Sequence, residues 1–233
     1  MFSPEQTGTD FWNAQEAEIK RWEGRSANQS LVGVLGKVDW AGIAVDFWFQ
    51  RFTYYNRGAA VPLESVVYHD SVISLVPMSS KGPFRFLRAL LQIAAPFYVA
   101  GAVTLDSRRG AFATQKREQI RRTYAVLGPL NRLSFAAFLS EHCFLTPDFK
   151  VEEARYTNGA YILINQSETD SYENERVTLP PQGFYVEHPQ MVAHDASRVG
   201  EEQFPTRAYR IARSRDGKPL MESEDVLRQE FPV

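Results

Sequence analysis

The pattern of apolar residues changes once along this chain, near Pro147, and that change limits the folds open to it. Before it, segments with helical spacing alternate with short apolar runs, the signature of βα units around a parallel sheet. Helices are expected over 11–24, 83–101 (with a kink or break at Pro96), 114–127 (ended by Gly128 and Pro129) and 130–144. Strands are expected over 30–36 and over 63–68, which Pro62 bounds, whereas 41–52 reads as either. After Pro147 only strand-like runs occur: 150–156, 160–165, 172–178, 183–188 and 208–213. Asn158-Gly159 between the first two is a hairpin signal, because both residues tolerate positive φ. The expected class is α/β plus all-β, divided into residues 1–148 and a small antiparallel β-sandwich-like domain over 149–233.

Composition narrows the function. At 233 residues and 44% hydrophobic, the chain can bury one large core or two small ones. A net charge of -2 gives no basic excess, so neither nucleic acid nor an anionic membrane is an expected partner. The apolar stretch 86–105 is interrupted by Arg88, Gln92 and Pro96, and reads as a buried helix rather than a membrane span. Cys143 is the single cysteine, so no intrachain disulfide forms and no oxidising compartment is indicated. No basic, apolar leader opens the sequence, which leaves the cytoplasm as the default location. His69, His142, His188 and His194 have no metal-ligand spacing, and no glycine-rich phosphate loop occurs, so neither a metal nor a cofactor is expected. Asn28 and Asn165 each begin an Asn-Gln-Ser glycosylation pattern.

The segment "VPLESVVYHDSVIS" (61–74) sets Tyr68, His69 and Asp70 in a row at the end of an expected strand. Such strand ends are where α/β folds place ligands. His69 and Asp70 can hydrogen-bond a ligand and Tyr68 can stack, or all three can form a structural network. Asp39 follows a glycine loop, and Asp46 lies in an apolar run where a carboxylate needs a partner. Trp40, Trp48, Tyr54 and Tyr55 suit a sugar platform or a core equally by residue type.

Five segments in order resemble a known family: "GKVDWAGIAVDFW" (36–48), "VPLESVVYHDSVIS" (61–74), "LSEHCFLTPDFKVEEARYTNGAYILINQS" (139–167), "LPPQGFYVEHPQMVAH" (179–194) and "RDGKPLMESEDV" (215–226). They are similar to (β/α)8-barrel glycoside hydrolases related to the endo-α-N-acetylgalactosaminidase group, over the C-terminal part of the barrel and the β-domain that follows it. The resemblance implies glycosidic bond cleavage by paired carboxylates drawn from Asp39, Asp46 and Asp70, with Trp40, Tyr68 and His69 binding carbohydrate. A full barrel needs about 250 residues, and about three βα units precede residue 148, so a partial barrel is expected. The loop before Asp39-Trp40 holds Val34, Leu35, Gly36 and Lys37 where the family has an acid. A truncated or remnant form with little activity alone is therefore expected, its open barrel edge pairing with another chain. The alternative is a non-catalytic carbohydrate-binding or assembly module.

Overall fold

The computed structural model describes residues 33–35, 47–49, 66–67, 73–78, 83–98 and 110–232. Four short strands come first: β1 (Gly33–Leu35), β2 (Phe47–Phe49), β3 (Ile73–Pro77) and β4 (Ala95–Phe97). They form one sheet in chain order, every pair parallel, with Gly33 opposite Phe47, Phe47 opposite Ile73 and Leu75 opposite Ala95. Parallel neighbours need a crossover of a dozen or so residues, and between β3 and β4 that crossover contains helix α1 (Phe84–Leu91).

Several sequence expectations fail in this half. Val66 and Val67, expected in a strand, are helical and exposed, and the strand follows them at Ile73. The helix expected over 83–101 stops at Leu91. Pro96 has no N–H to extend it and disfavours a helical residue before it, so Ala95–Phe97 is free to become β4. The reversal passes through Ile93, a β-branched residue at φ 47°, a conformation that costs energy. Ile93 is 3% exposed, so its burial offsets that strain.

Helix α2 (Gly110–Ser134) runs unbroken through Gly128 and Pro129, which were expected to end it. Val126, Leu127 and Leu130 lie on both sides of the proline and are fully buried. Packing holds the two halves in line at the expense of one helical hydrogen bond. The second expected helix, 130–144, instead ends in strand β5 (Leu139–Phe144). There, pairing with β6 (Val151–Tyr156) outweighs helical propensity.

The rest is antiparallel: β7 (Tyr161–Asn165), β8 (Tyr172–Glu173), β9 (Val177–Leu179), β10 (Phe184–His188), β11 (Met191–Val199), β12 (Glu202–Ser214) and β13 (Val226–Phe231). The main path is β13-β12-β11-β10-β7-β6-β5, and the β8–β9 pair joins at β11. The sheet begins at Leu139, so β5 shares it with strands on the far side of residue 148. The described residues are thus mostly β, with a parallel sheet, two helices and a larger antiparallel sheet.

Period-two alternation assigns the two faces of the large sheet. Ala154, Tyr156, Ile162, Ile164, Phe184, Val186, Ala193, Tyr209, Ile211 and Phe231 form a single core with Leu87, Leu90, Leu91, Val126, Leu127 and Leu130 of the helices. On the opposite face Val151, Tyr161, Leu163, Tyr185 and Ala196 pack with Val177 and Leu179 of β9. The Asn158-Gly159 turn forms as its residues dictate, with Gly159 at φ 87°. Asn158 also donates from Nδ2 to the Leu133 carbonyl (3.1 Å) and to Ser134 Oγ (2.8 Å), capping the end of α2 with the hairpin.

Gly183, just before β10, has no room for a side chain. An added Cβ would lie 2.6 Å from the Asp195 carbonyl oxygen, 2.8 Å from Pro180 Cδ and 2.9 Å from the Pro180 carbonyl oxygen. Two of these are backbone atoms, one of them in β11, and cannot step aside cheaply. Gly183→Ala is expected to destabilise the fold by about 2–3 kcal/mol in urea denaturation. A loss below about 0.5 kcal/mol would mean that the strand entry relaxes freely.

Candidate functional site

Asp39, Trp40, Asp46, Tyr68, His69 and Asp70, the residues expected to carry the site, lie outside the described residues, as do Tyr54 and Tyr55. The strands around them still bear on the reading. Asp39 and Trp40 follow the last residue of β1, whereas Asp46 directly precedes the first residue of β2. Tyr68, His69 and Asp70 fall in the sequence between a helical pair and the start of β3, not after a strand as expected.

Among the described residues the most buried charged group is Glu152 on β6, fully buried. It has the strand parity of Ala154 and Tyr156 and therefore faces the helices. Arg88 of α1 donates from Nη1 to its Oε2 at 2.9 Å. His142 of β5 approaches the same oxygen with Nε2 at 2.9 Å, and Gln166 donates to Oε1. Arg88 is 7% exposed, so the whole pair is withdrawn from water. Tyr156 adds a second tie by donating from its hydroxyl to the Leu91 carbonyl at 2.9 Å. Glu152 has no open approach for a substrate. It serves as a clamp joining α1, and the parallel sheet around it, to the antiparallel sheet.

The opposite face of the same strands carries Glu141, Cys143 and Glu153, whose ligand atoms all lie within 4.8 Å of one another. Two carboxylates about 5–5.5 Å apart are what a retaining glycosidase needs. Here Arg155 already neutralises both, with Nε 3.2 Å from Glu141 and Nη2 3.7 Å from Glu153. Tyr161 also donates to Glu153 at 2.8 Å. Desolvation and the Glu141 carboxylate push the Cys143 thiol up, keeping it protonated and a poor nucleophile. His142 and Cys143 point to opposite faces of β5, so they form no nucleophile–base pair. Asn165, one of the two glycosylation matches, is fully buried and donates to the Asp170 carbonyl (2.8 Å) and the Pro180 carbonyl (3.1 Å). Its amide is therefore closed to modification in the folded protein.

His194 on β11 is buried and stacks on Phe204, with ring centroids 5.5 Å apart. Desolvation, and then the nearby Arg210 charge, lower its pKa, and desolvation lowers that of His188. The folded state therefore keeps these rings neutral while the unfolded chain takes up protons below about pH 6.5. Their contribution is complete above that pH and is lost as pH falls through it. The urea midpoint is expected to drop between pH 7.5 and 5.5, and His194→Gln is expected to flatten that slope. An unchanged slope in the variant would remove His194 from the account.

The sequence did not single out Glu152, and Arg88 stood out only as an interruption of the apolar stretch 86–105. The available signal was parity: Glu152 stands on the apolar phase of a strand whose other members on that face are Ala154 and Tyr156.

The described residues combine a parallel sheet in chain order with an antiparallel sheet, joined through helices, and this fold has counterparts among solved structures. The likeness is to an α-N-acetylgalactosaminidase, NagBb from Bifidobacterium bifidum. Its complex with GalNAc matches at 21% identity and a TM-score of 0.50, covering 66% of this chain and 25% of that chain. Its quadruple mutant matches at 20% identity and 0.50, covering 66% and 24%. The ligand-free form matches at 22% identity and 0.48, covering 66% and 25%. This chain thus spans about a quarter of the length of those it resembles. No family model matches the chain, and no curated protein does. No helix among the described residues is long and apolar enough to cross a membrane.

Proposed function

We propose that this chain is a glycoside-hydrolase-like protein that binds carbohydrate beyond the carboxyl ends of β1–β4, with little hydrolysis when it acts alone. The observation that supports this most is the sheet itself: four parallel strands hydrogen-bonded in chain order, leading into an antiparallel sheet. In such sheets the loops after the carboxyl ends hold the ligand. Asp39 and Trp40 belong to the segment after β1, so they carry this reading furthest. Trp40 and Tyr68 would stack on the apolar face of a pyranose, and His69 would bond its hydroxyls. Asp39 would supply a carboxylate in any residual cleavage, whereas Asp46 and Asp70 precede β2 and β3 in the sequence and would need to reach the carboxyl-end side to serve as its partner. The parallel sheet is proposed to be the last part of a barrel whose open edge pairs with another chain.

The test is binding and turnover measured on the same preparation. Titration with N-acetylgalactosamine, followed by calorimetry, is expected to show binding that Trp40→Ala weakens about tenfold, the loss of one stacking contact. An aryl N-acetyl-α-galactosaminide is expected to be hydrolysed at background rate. Clear turnover abolished by Asp39→Asn would overturn the low-activity reading. Failure to bind any sugar in a broad glycan panel would overturn the carbohydrate reading itself.

A further inference from the structure

A groove of about 250 Å³ lies between α2 and the β12–β13 edge of the large sheet, lined by Tyr124, Ala125, Gly128, Pro129, Arg132, Arg213 and Gln229. Its two walls come from residues that repeat with the period of their own element. Tyr124, Gly128 and Arg132 follow one another at four-residue steps and form one stripe of the helix. On β12, Arg213 continues the row of Tyr209 and Ile211, which are core residues on the helix-facing side. Gln229 has the same relation to Phe231 on β13 and stands opposite Ile211. The apolar rows therefore give way to a guanidinium and an amide on the side turned towards α2.

Charge is the second observation. Most described arginines of this sheet have a carboxylate: Arg155 has Glu141, Arg176 has Glu187, Arg198 has Glu173, Arg207 has Asp195, and Arg210 has Glu202 and Glu230. Arg132 and Arg213 make no ion pair with any described carboxylate, yet they share one groove. Arg213 is half-buried and Arg132 and Gln229 are exposed, so all three can present their N–H groups to the groove. Space is available as well, since a Cβ added at Gly128 would meet nothing within 4 Å.

We propose that this groove is a binding site for a small oxyanion, a sulfate, phosphate or carboxylate group, held between the guanidinium groups of Arg132 and Arg213 with Gln229 as a further donor. Planar guanidinium forks match the oxygens of such groups in pairs, which gives geometry as well as attraction. The site is on the antiparallel side of the molecule and stands independently of any sugar bound beyond β1–β4. Its volume fits a single charged group, or one acidic sugar, better than an extended chain.

The experiment follows the arginine Nε–H resonances of the full chain at physiological salt, titrated with inorganic sulfate, acetate, glucuronate and glucose. Arg132 and Arg213 are expected to shift with sulfate and not with glucose. Arg213→Gln and Arg132→Gln are each expected to weaken sulfate binding about tenfold. Arg228→Gln, an exposed arginine of β13 on the opposite parity, is expected to leave it unchanged. Glucuronate binding more tightly than acetate would identify the anion as a sugar substituent. Equal affinity for the two would identify a free oxyanion, and both outcomes support the site. No shift at either arginine in the wild-type chain would overturn it, and so would an equal loss in Arg228→Gln. The wild-type titration decides the matter even where a variant fails to fold.

Discussion

Glu152→Ala is expected to lower stability by about 3–5 kcal/mol, because it strands a buried guanidinium without its counter-charge. Arg88 Nη1 lies 2.9 Å from Glu152 Oε2, and the two residues are 7% and 0% exposed. His142 and Gln166 lose their shared acceptor in the same step. For a chain of this size the thermal midpoint should fall by roughly 6–20 °C. Arg88→Met should cost a similar amount by leaving the carboxylate buried. The double variant Arg88→Met/Glu152→Leu should recover much of the loss, since an apolar pair of similar volume needs no compensation. The check is a double-mutant cycle on urea unfolding, where the coupling should exceed about 1 kcal/mol. Strict additivity would show that the two side chains do not act as a pair. The clamp also makes a structural statement: α1 is the crossover of the parallel sheet, and Glu152 belongs to the antiparallel one. Loss of the pair should therefore increase hydrogen exchange in α1 before it affects β10 or β11.

Phe184→Ala should be comparably damaging, by about 3–5 kcal/mol. Phe184 is 1% exposed and stands at the centre of an edge-on aromatic row. Its ring centroid lies 5.3 Å from Phe86 of α1 and 5.2 Å from Tyr209 of β12, and Tyr209 in turn lies 5.3 Å from Phe231. Truncation removes dispersion contacts on both sides of the core and leaves a cavity that sheet strands cannot close. Phe184→Leu should cost only about 1–1.5 kcal/mol, because most of the volume remains. A similar loss for both substitutions in thermal unfolding would point to edge geometry rather than volume as the source of stability.

The antiparallel half was largely legible in the sequence. Val151–Tyr156, Tyr161–Asn165 and Phe184–His188 fall where alternation and turn residues placed strands, and Asn158-Gly159 marks the hairpin between the first two. Strands β11 and β13 were missed, since His194, Asp195, Arg228 and Gln229 blur the apolar alternation there. In the first half, local signals competed with tertiary demands and lost. Gly128-Pro129 is a helix terminator by propensity, yet α2 continues because Leu127 and Leu130 are buried on either side. "LSEHCF" has helical residues, yet β6 offers it an edge.

What the sequence determined by itself was the division of signals near Pro147, the hairpin turn and the period-two faces, all consequences of nearest-neighbour backbone chemistry. The tertiary structure alone decided which of the described charges meet a described counter-charge. Arg88 meets Glu152 across 64 positions, and Arg132 meets Arg213 across a groove between a helix and a sheet. No local pattern encodes such meetings. They depend on how a helix crosses a sheet, and that crossing is fixed by the packed core between them.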